Sequence, residues 1–443
     1  MKDKKKGFLG TVEKVGNILP HPAIIFVILC AVVAVISHIL SKIGVSVNYN
    51  TLNRETNELV EATATVTSLL DAEGIRFMFT SAISNFTTFA PLGTVLVALL
   101  GVGVAEGTGL IGACLTKLVT STPKKLITVV VVFAGVMSSI ASDAGYVVLI
   151  PLGAIIFMSF GRHPLAGIAA AFAGVSGGFS ANLMVGPTDA LLSTITTEAA
   201  KLSSNPMTVN ITDNWYFIIA STFLITVIGT LVTEFIVEPR LGVYKGKSAD
   251  KLTEITEEQK RGLRFAGIAL IVFVLLMVYL VVPMNFIPFE SNGALGGQDI
   301  LNSPFMSSIV IIISLAFLVP GIAYGIGSKT VKKGGSVIDL MAKSMSTMSG
   351  YIVLVFFAAQ FVKYFEYTKL GTVVAVKGAD LLEAIGLKGI PLILAFIVVA
   401  AFINIFMGSA SAKWAIMAPI FVPMLMQMGY SPALTQMAYR IGD

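Results

Sequence analysis

Charge is what this sequence has least of. Only 12% of its 443 residues are Asp, Glu, Lys or Arg, against 55% hydrophobic, and the mean hydropathy is +0.87. A soluble domain of this length needs about twice that charged fraction to cover its surface. Histidine is also scarce, with three residues (His21, His38 and His163). No HExxH, clustered Asp-rich or Walker-type motif occurs, which removes the usual supports for a membrane metalloenzyme or an ATP-driven pump. The two cysteines, Cys30 and Cys114, lie within apolar runs, so a disulfide framework is not expected.

The apolar residues fall in runs of about 17–25, long enough to cross a hydrocarbon core as helices. They lack the strict apolar–polar alternation of a membrane barrel. The predicted segments are 18–40, 91–116, 125–141, 144–160, 164–184, 215–237, 263–283, 304–326, 349–363, 390–408 and 415–428, with a partial one from 431. The fold class is therefore an all-α integral membrane protein. The run at 18–40 reads as a retained first helix, because no small-residue cleavage site follows a short apolar core.

Basic residues at segment ends indicate orientation; the net charge of +5 does not indicate nucleic acid. Lys2, Lys4, Lys5 and Lys6 place the N-terminus in the cytoplasm, and the polar, acidic 42–90 loop outside. Lys117, Lys124, Lys125 and Arg162 return inside, as does the basic stretch 238–264, whose EITEEQKR portion is predicted to form a short surface helix. The 284–303 loop, without Lys or Arg, faces out. Lys369, Lys377 and Lys388 run against the scheme. Each arm of 125–160 has only about 16 residues, which suits a re-entrant hairpin as well as two spans.

An internal repeat organises the chain. Residues 144–174 align without gaps to 412–442, matching Ala144/Ala412, Pro151/Pro419, Met158/Met426, Gly161/Gly429, Pro164/Pro432, Ala170/Ala438 and Gly174/Gly442. Tyr146 stands opposite Trp414, and upstream VAEGTGL around Glu106 parallels YFEYTKL around Glu366. The predicted division is a first half 1–237, a cytoplasmic linker 238–262, and an inverted second half 263–443. That second half is expected to be incomplete, because copy one continues past Gly174 where copy two stops. Oppositely oriented repeats are the signature of alternating-access transporters, with broken helices and re-entrant hairpins around a midplane site.

Two constellations carry candidate chemistry. In GVSGGFSANLMVGPTD (174–189), glycines and a proline break a helix at membrane depth, which is tolerated only against protein or a water-filled cavity. Ser176, Ser180 and Asn182 offer oxygens to a cation such as Na⁺. Asp189 is an ionisable group in an apolar setting, suited to substrate, cation or proton, or else to capping a helix. The second constellation spans Asn404 to Asp443. Ser411 lies in a small polar tip. Trp414 can stack on an aromatic ligand or anchor a helix at the interface. Pro432 suits a first helical turn. Arg440 can bind a carboxylate through two parallel hydrogen bonds, and Asp443, three residues on, shares its face and can pair with it. In the first tip, SSIASDAG, Asp143 is either a turn cap or a cation ligand; Asp443, like Asp189, can bind a cation or take up a proton.

The motifs SDAGYVVLIPLGA, GRHPLAGIAAAFAGVSGGFSANL, GPTDALL and SASAKWAIMAPIFVPML…YSPALTQMAYRIGD, with KVGNxLPHP from Lys14, resemble the p-aminobenzoyl-glutamate transporter (AbgT) family along nearly the whole chain. The resemblance implies a homodimer of nine transmembrane helices and two re-entrant hairpins per subunit in a bacterial inner membrane. It implies transport of p-aminobenzoyl-glutamate, or efflux of sulfonamide antimetabolites, by a symporter or antiporter coupled to Na⁺ or H⁺, with no cofactor and no enzymatic activity. The family's functional residues match Asp189, Asn404, Ser411, Trp414, Pro432, Arg440 and Asp443. The alternatives are a dicarboxylate or amino-acid carrier of the same superfamily, or, from another class, a membrane-embedded enzyme or a non-transporting binder.

Overall fold

The computed structural model describes residues 20–52, 59–141, 145–244, 255–284, 286–287, 303–332, 334–407 and 409–443. Nearly every element is a helix. In chain order, α1 (Pro22–Ile43) precedes a hairpin of β1 (Ser46–Leu52) and β2 (Leu59–Thr65), then α2 (Ala72–Thr80) and α3 (Ala82–Thr87). There follow α4 (Ala90–Gly107), α5 (Leu110–Thr120), α6 (Ile127–Met137), α7 (Ile150–Ser159), α8 (Pro164–Gly177), α9 (Pro187–Ala200) and α10 (Trp215–Val232). The remainder comprises α11 (Glu257–Val281), α12 (Ile309–Gly327), α13 (Gly334–Thr347), α14 (Ser349–Tyr367), α15 (Leu370–Ala384), α16 (Ile390–Asn404), α17 (Ala410–Gln427) and α18 (Pro432–Gly442). Five helices among the described residues are long and apolar enough to span a bilayer, beginning at Pro22, Ala90, Trp215, Glu257 and Ile309.

The chain forms two compact units, neither contiguous in sequence: Met1–Thr94, Asp189–Asn214 and Ser349–Asp443 make the first, Val95–Thr188 and Trp215–Met348 the second. Each draws on both sequence halves.

In the first unit α1 starts at a His21 cap with Pro22 in its first turn and stops at Gly44, in the left-handed region at φ 76°. A cyclic residue at the start and glycine at the stop is the expected asymmetry of helix ends. Its inner face packs on α14, with the Phe26 and Phe361 rings 5.8 Å apart. The polar 42–90 segment is more ordered than a loop: β1 and β2 pair antiparallel from Ser46↔Thr65 to Leu52↔Leu59. Further on, α15 packs on α17 and α16 on α18. The α16–α18 contact is close because Gly442 has no side chain; a Cβ there would lie 2.7 Å from the Ile397 carbonyl oxygen.

In the second unit α6 packs on α8 through glycines, and a Cβ on Gly135 would meet the Gly174 Cα at 2.8 Å. Around this crossing sit buried Val131, Val132, Ile156, Phe157 and Ala170. Pro123 and the Lys124–Leu126 turn bend the chain by 115° between Leu110–Thr120 and Lys124–Ile140, the geometry of a broken span or re-entrant segment. Asp143 lies outside the described residues.

The EITEEQKR expectation needs correction. Thr256 and Gln259 form a reciprocal capping box, and one helix runs unbroken from Glu257 to Val281. With the cap and two acidic residues in its first turn, α11 starts in the polar stretch and has no reason to stop before the apolar one. The surface helix is the first turns of a span.

The repeat is visible in local geometry, one copy in each unit. Gly161 and Gly429 both take positive φ, 72° and 87°. The amides of Arg162 and Tyr430 donate to Phe157 and Leu425, and those of Gly161 and Gly429 to Met158 and Met426, every pair 268 positions apart. Pro164 and Pro432 then open α8 and α18 behind side-chain caps from His163 and Ser431. Upstream, Gly109 and Lys369 both have positive φ and donate to the carbonyls of Glu106 and Glu366.

Candidate functional site

The two arms of the first broken segment are α8, ending at Gly177, and α9, beginning at Pro187. Between them Asn182 is buried, its Nδ2 donating to Ser139 Oγ at 3.0 Å while its Oδ1 accepts from the Met184 amide at 3.1 Å. Ser139 Oγ in turn donates to the Ala181 carbonyl at 3.1 Å. Asn182 thus cross-links the break to the tip after α6 within the second unit. Ser176 is exposed on α8 and Ser180 is half-buried.

A dense polar cluster lies in the first unit, on one face of α18. Thr435, Gln436, Tyr439, Arg440 and Asp443 recur at helical spacing. Thr435, Gln436, Tyr439 and Arg440 are buried, where an apolar helix would be expected to keep hydrocarbon. The Ser431 side chain caps the Leu434 amide and Pro432 occupies the first turn, so the start of the stripe is well defined.

Two ion pairs leave this face in different directions. Arg440 Nη2 donates to Asp189 Oδ1 at 2.6 Å, with only 2% and 8% of the two side chains exposed. Asp189 is the third residue of α9, so its carboxylate also sits at the positive end of a helix, and it is a buried partner of Arg440. Asp443 pairs with Lys413 of α17, which also donates to Asn404 Oδ1. The pairing of Arg440 with Asp443 raised by their spacing is therefore replaced by two separate bridges, each to another helix.

Trp414 is fully buried, which rules out its reading as an interfacial anchor. Its ring stacks on Tyr439 with centroids 4.4 Å apart, and its Nε1 donates to Thr196 Oγ1 at 2.9 Å. The chain of bonds continues from Thr196 Oγ1 to Gln436 Oε1 at 2.6 Å and from Gln436 Nε2 to Asn214 Oδ1 at 2.7 Å. Asn214 closes it by donating to the Ala433 carbonyl at 3.0 Å. Buried amides and hydroxyls are costly unless satisfied, and satisfied networks hold side chains in one arrangement. Tyr439 is locked likewise, its hydroxyl donating to the Ala410 carbonyl at 2.7 Å.

Of the residues predicted from sequence, Asp189, Asn404, Trp414, Pro432, Arg440 and Asp443 share this unit and are linked through α18. Ser411 lies at the start of α17, half-buried, its Oγ 3.2 Å from Ser409 Oγ. Sequence reasoning passed over Thr196, Asn214, Gln436 and Tyr439 and gave Lys413 no role. The polar stripe of α18 carries a signal for Gln436 and Tyr439, since both fall on the Arg440 face. Thr196 and Asn214 had none: a threonine in an apolar helix and an asparagine before a tryptophan are ordinary.

Among the described residues no group of three or more His, Cys, Asp or Glu could hold a metal ion, and Cys30 and Cys114 are free thiols. The arrangement is two buried ion pairs, an aromatic stack and a network of neutral donors and acceptors.

Comparison with known proteins gives this chemistry its context. The chain is 41% identical over 434 residues to the p-aminobenzoyl-glutamate transport protein of Escherichia coli strain K12, covering 98% of this chain and 83% of that protein. It resembles the Alcanivorax borkumensis YdaH transporter, whose crystal structure has an unusual topology, with TM-score 0.86 and 44% identity, over 96% of this chain and 86% of that one. It also resembles Neisseria gonorrhoeae MtrF, described with a class of antimetabolite efflux pumps, with TM-score 0.88 and 47% identity, over 99% of this chain and 87% of that one. The model of the AbgT transporter family matches residues 7–443. By its sequence, its broken helices and its solved relatives, this multi-pass membrane chain belongs to the AbgT transporter family and is a transport protein rather than an enzyme.

Proposed function

We propose that this protein moves p-aminobenzoyl-glutamate or a sulfonamide-type antimetabolite across the bacterial inner membrane, its N-terminus cytoplasmic, driven by a gradient of Na⁺ or H⁺. The observation that carries the proposal is the Arg440–Asp189 bridge, buried beside the Trp414–Tyr439 stack. In this arrangement the Asp189 carboxylate occupies the guanidinium that a substrate carboxylate needs. An aminobenzoyl-glutamate supplies carboxylates for Arg440 and an aromatic ring for the stack. The name of the Escherichia coli relative supports that substrate, and the description of the Neisseria gonorrhoeae relative supports antimetabolite export.

The same bridge gives a physical reason for coupling. When an anionic substrate takes Arg440, the Asp189 carboxylate loses that guanidinium. Breaking a buried pair in this way costs about 3–5 kcal/mol. Uptake of a proton or a small cation by Asp189 removes most of that cost. Substrate and coupling ion then bind better together than apart, which is thermodynamic linkage. Asn404, Ser411, Pro432 and Asp443 complete the proposed substrate surface, and homodimeric assembly goes with the family resemblance.

Counterflow in proteoliposomes tests this reading. Labelled p-aminobenzoyl-glutamate should exchange, a C4-dicarboxylate should not compete, and an imposed Na⁺ or pH gradient should drive accumulation. Asp189→Ala and Trp414→Ala should abolish it. If neither p-aminobenzoyl-glutamate nor a sulfonamide moves in either direction, the reading is wrong; competition by the C4-dicarboxylate would favour a dicarboxylate carrier. Light scattering of the detergent-solubilised protein tests the dimer.

A further inference from the structure

Lys413 is fully buried, and the role proposed above does not use it. An ammonium ion loses several kcal/mol of hydration on such burial unless charges and acceptors replace it. Here they do. Its Nζ donates to Asp443 Oδ1 and to Asn404 Oδ1, and it lies 5.4 Å from the centroid of the Tyr439 ring. Asn404 Nδ2 reaches on to the Asp443 backbone carbonyl. The head group therefore sits among a carboxylate, an amide oxygen and an aromatic face, a set of partners that would equally hold a small inorganic cation.

The internal repeat supplies an independent observation. At the offset of 268, Lys413 corresponds to Gly145 and Asp443 to Val175. These two are also neighbours in their own unit: a Cβ on Gly145 would lie 3.1 Å from Val175 Cγ2. One copy carries both charges at this contact and the other carries neither. Cation and anion are present or absent together, as expected if each exists to compensate the other.

We infer that the Lys413 ammonium is a tethered counter-cation, occupying a cation position formed by Asp443 and Asn404 so that no ion from solution binds there. Resting on the reading of Asp189 as the coupling group, this leaves Asp189 as the one exchangeable carboxylate of the pair. The occupant that replaces the ammonium when the lysine is removed is a monovalent metal ion, Na⁺ being the probe.

The test compares wild type, Lys413→Met and Lys413→Met/Asp443→Asn in detergent, melting each in NaCl and in choline chloride at equal ionic strength. Choline is too large for the vacated position. Lys413→Met should gain a Na⁺-dependent rise in Tm of roughly 2–4 °C beyond any shift of the wild type, saturating with Na⁺ concentration. The double variant should lose that excess and melt above Lys413→Met in choline. Lys413→Gln carries the same comparison should the methionine variant not survive purification. No excess over wild type, or an excess that persists without Asp443, would overturn the inference. Because the readout needs no substrate, it stands or falls separately from the identity of the transported solute.

Discussion

The Arg440 guanidinium stands 2.6 Å from the carboxylate of Asp189, across 251 positions of sequence. Both side chains are almost completely buried. A pair in this setting is held by each partner's need for the other more than by its net contribution to stability. In the proposed mechanism, that asymmetry is what lets a substrate carboxylate exchange with an internal one.

Asp189→Asn should therefore separate binding from coupling. The amide still occupies the place of the carboxylate but has no charge to lose or regain. Equilibrium exchange of labelled substrate in counterflow should persist, while gradient-driven accumulation should fall at least about tenfold, equivalent to roughly 1.4 kcal/mol. Accumulation equal to wild type at matched protein density would remove Asp189 from coupling.

Arg440→Lys should weaken substrate binding about 10–100-fold although the charge is kept. A lysine offers a point charge where guanidinium offers a planar fork. Isothermal titration or scintillation proximity with p-aminobenzoyl-glutamate measures the difference, and equal affinity would argue against a carboxylate on Arg440.

Trp414→Phe removes the bond to Thr196 and keeps much of the stack on Tyr439. Its cost in stability should be about 1 kcal/mol plus that of the vacated ring volume. Trp414→Ala should cost about 3–5 kcal/mol, as a fully buried ring is deleted. Denaturation monitored by a thiol-reactive dye ranks the two, and equal losses would mean that the stack, not the indole N–H, matters least.

The repeated turns provide a paired test. Gly161→Ala and Gly429→Ala each force a Cβ into a left-handed backbone, at about 1–2 kcal/mol. With nothing within 4 Å of either added methyl, packing should contribute little and the two losses should be similar. A large difference in thermal stability would show that the two turns are equivalent only in shape.

Glycine packing is checked on α8. Gly174→Ala sets a Cβ against the Val132 carbonyl oxygen, whereas Gly177→Ala meets nothing within 4 Å. The first should destabilise by about 1–3 kcal/mol, and the second should be neutral or slightly stabilising, since alanine favours helix over glycine. Chemical denaturation in mild detergent distinguishes them.

Much of this molecule was legible from one dimension. Helices of membrane length follow from runs of apolar residues, because a backbone removed from water must satisfy its own hydrogen bonds within the segment. The break between Gly177 and Pro187 follows from glycine and proline, and the turns at Gly161 and Gly429 from the only residue that adopts their backbone without strain. The repeat was legible for the same reason: local backbone chemistry repeats when local sequence does. Asp189, Trp414, Arg440 and Asp443 stood out because charge and indole are rare among so much hydrocarbon.

Who pairs with whom could not be read in this way. On helical spacing alone Arg440 and Asp443 are natural partners, yet each turns to a residue on another helix, Asp189 on α9 and Lys413 on α17. Likewise the surface helix expected at EITEEQKR became the start of α11, since a cap sets where a helix begins while its end is set further along. The chain itself determined its helices, their breaks and its family. Only the packing of α9, α16, α17 and α18 decided which buried charge neutralises which, because in a low dielectric that choice depends on distances of a few ångströms between segments far apart in sequence.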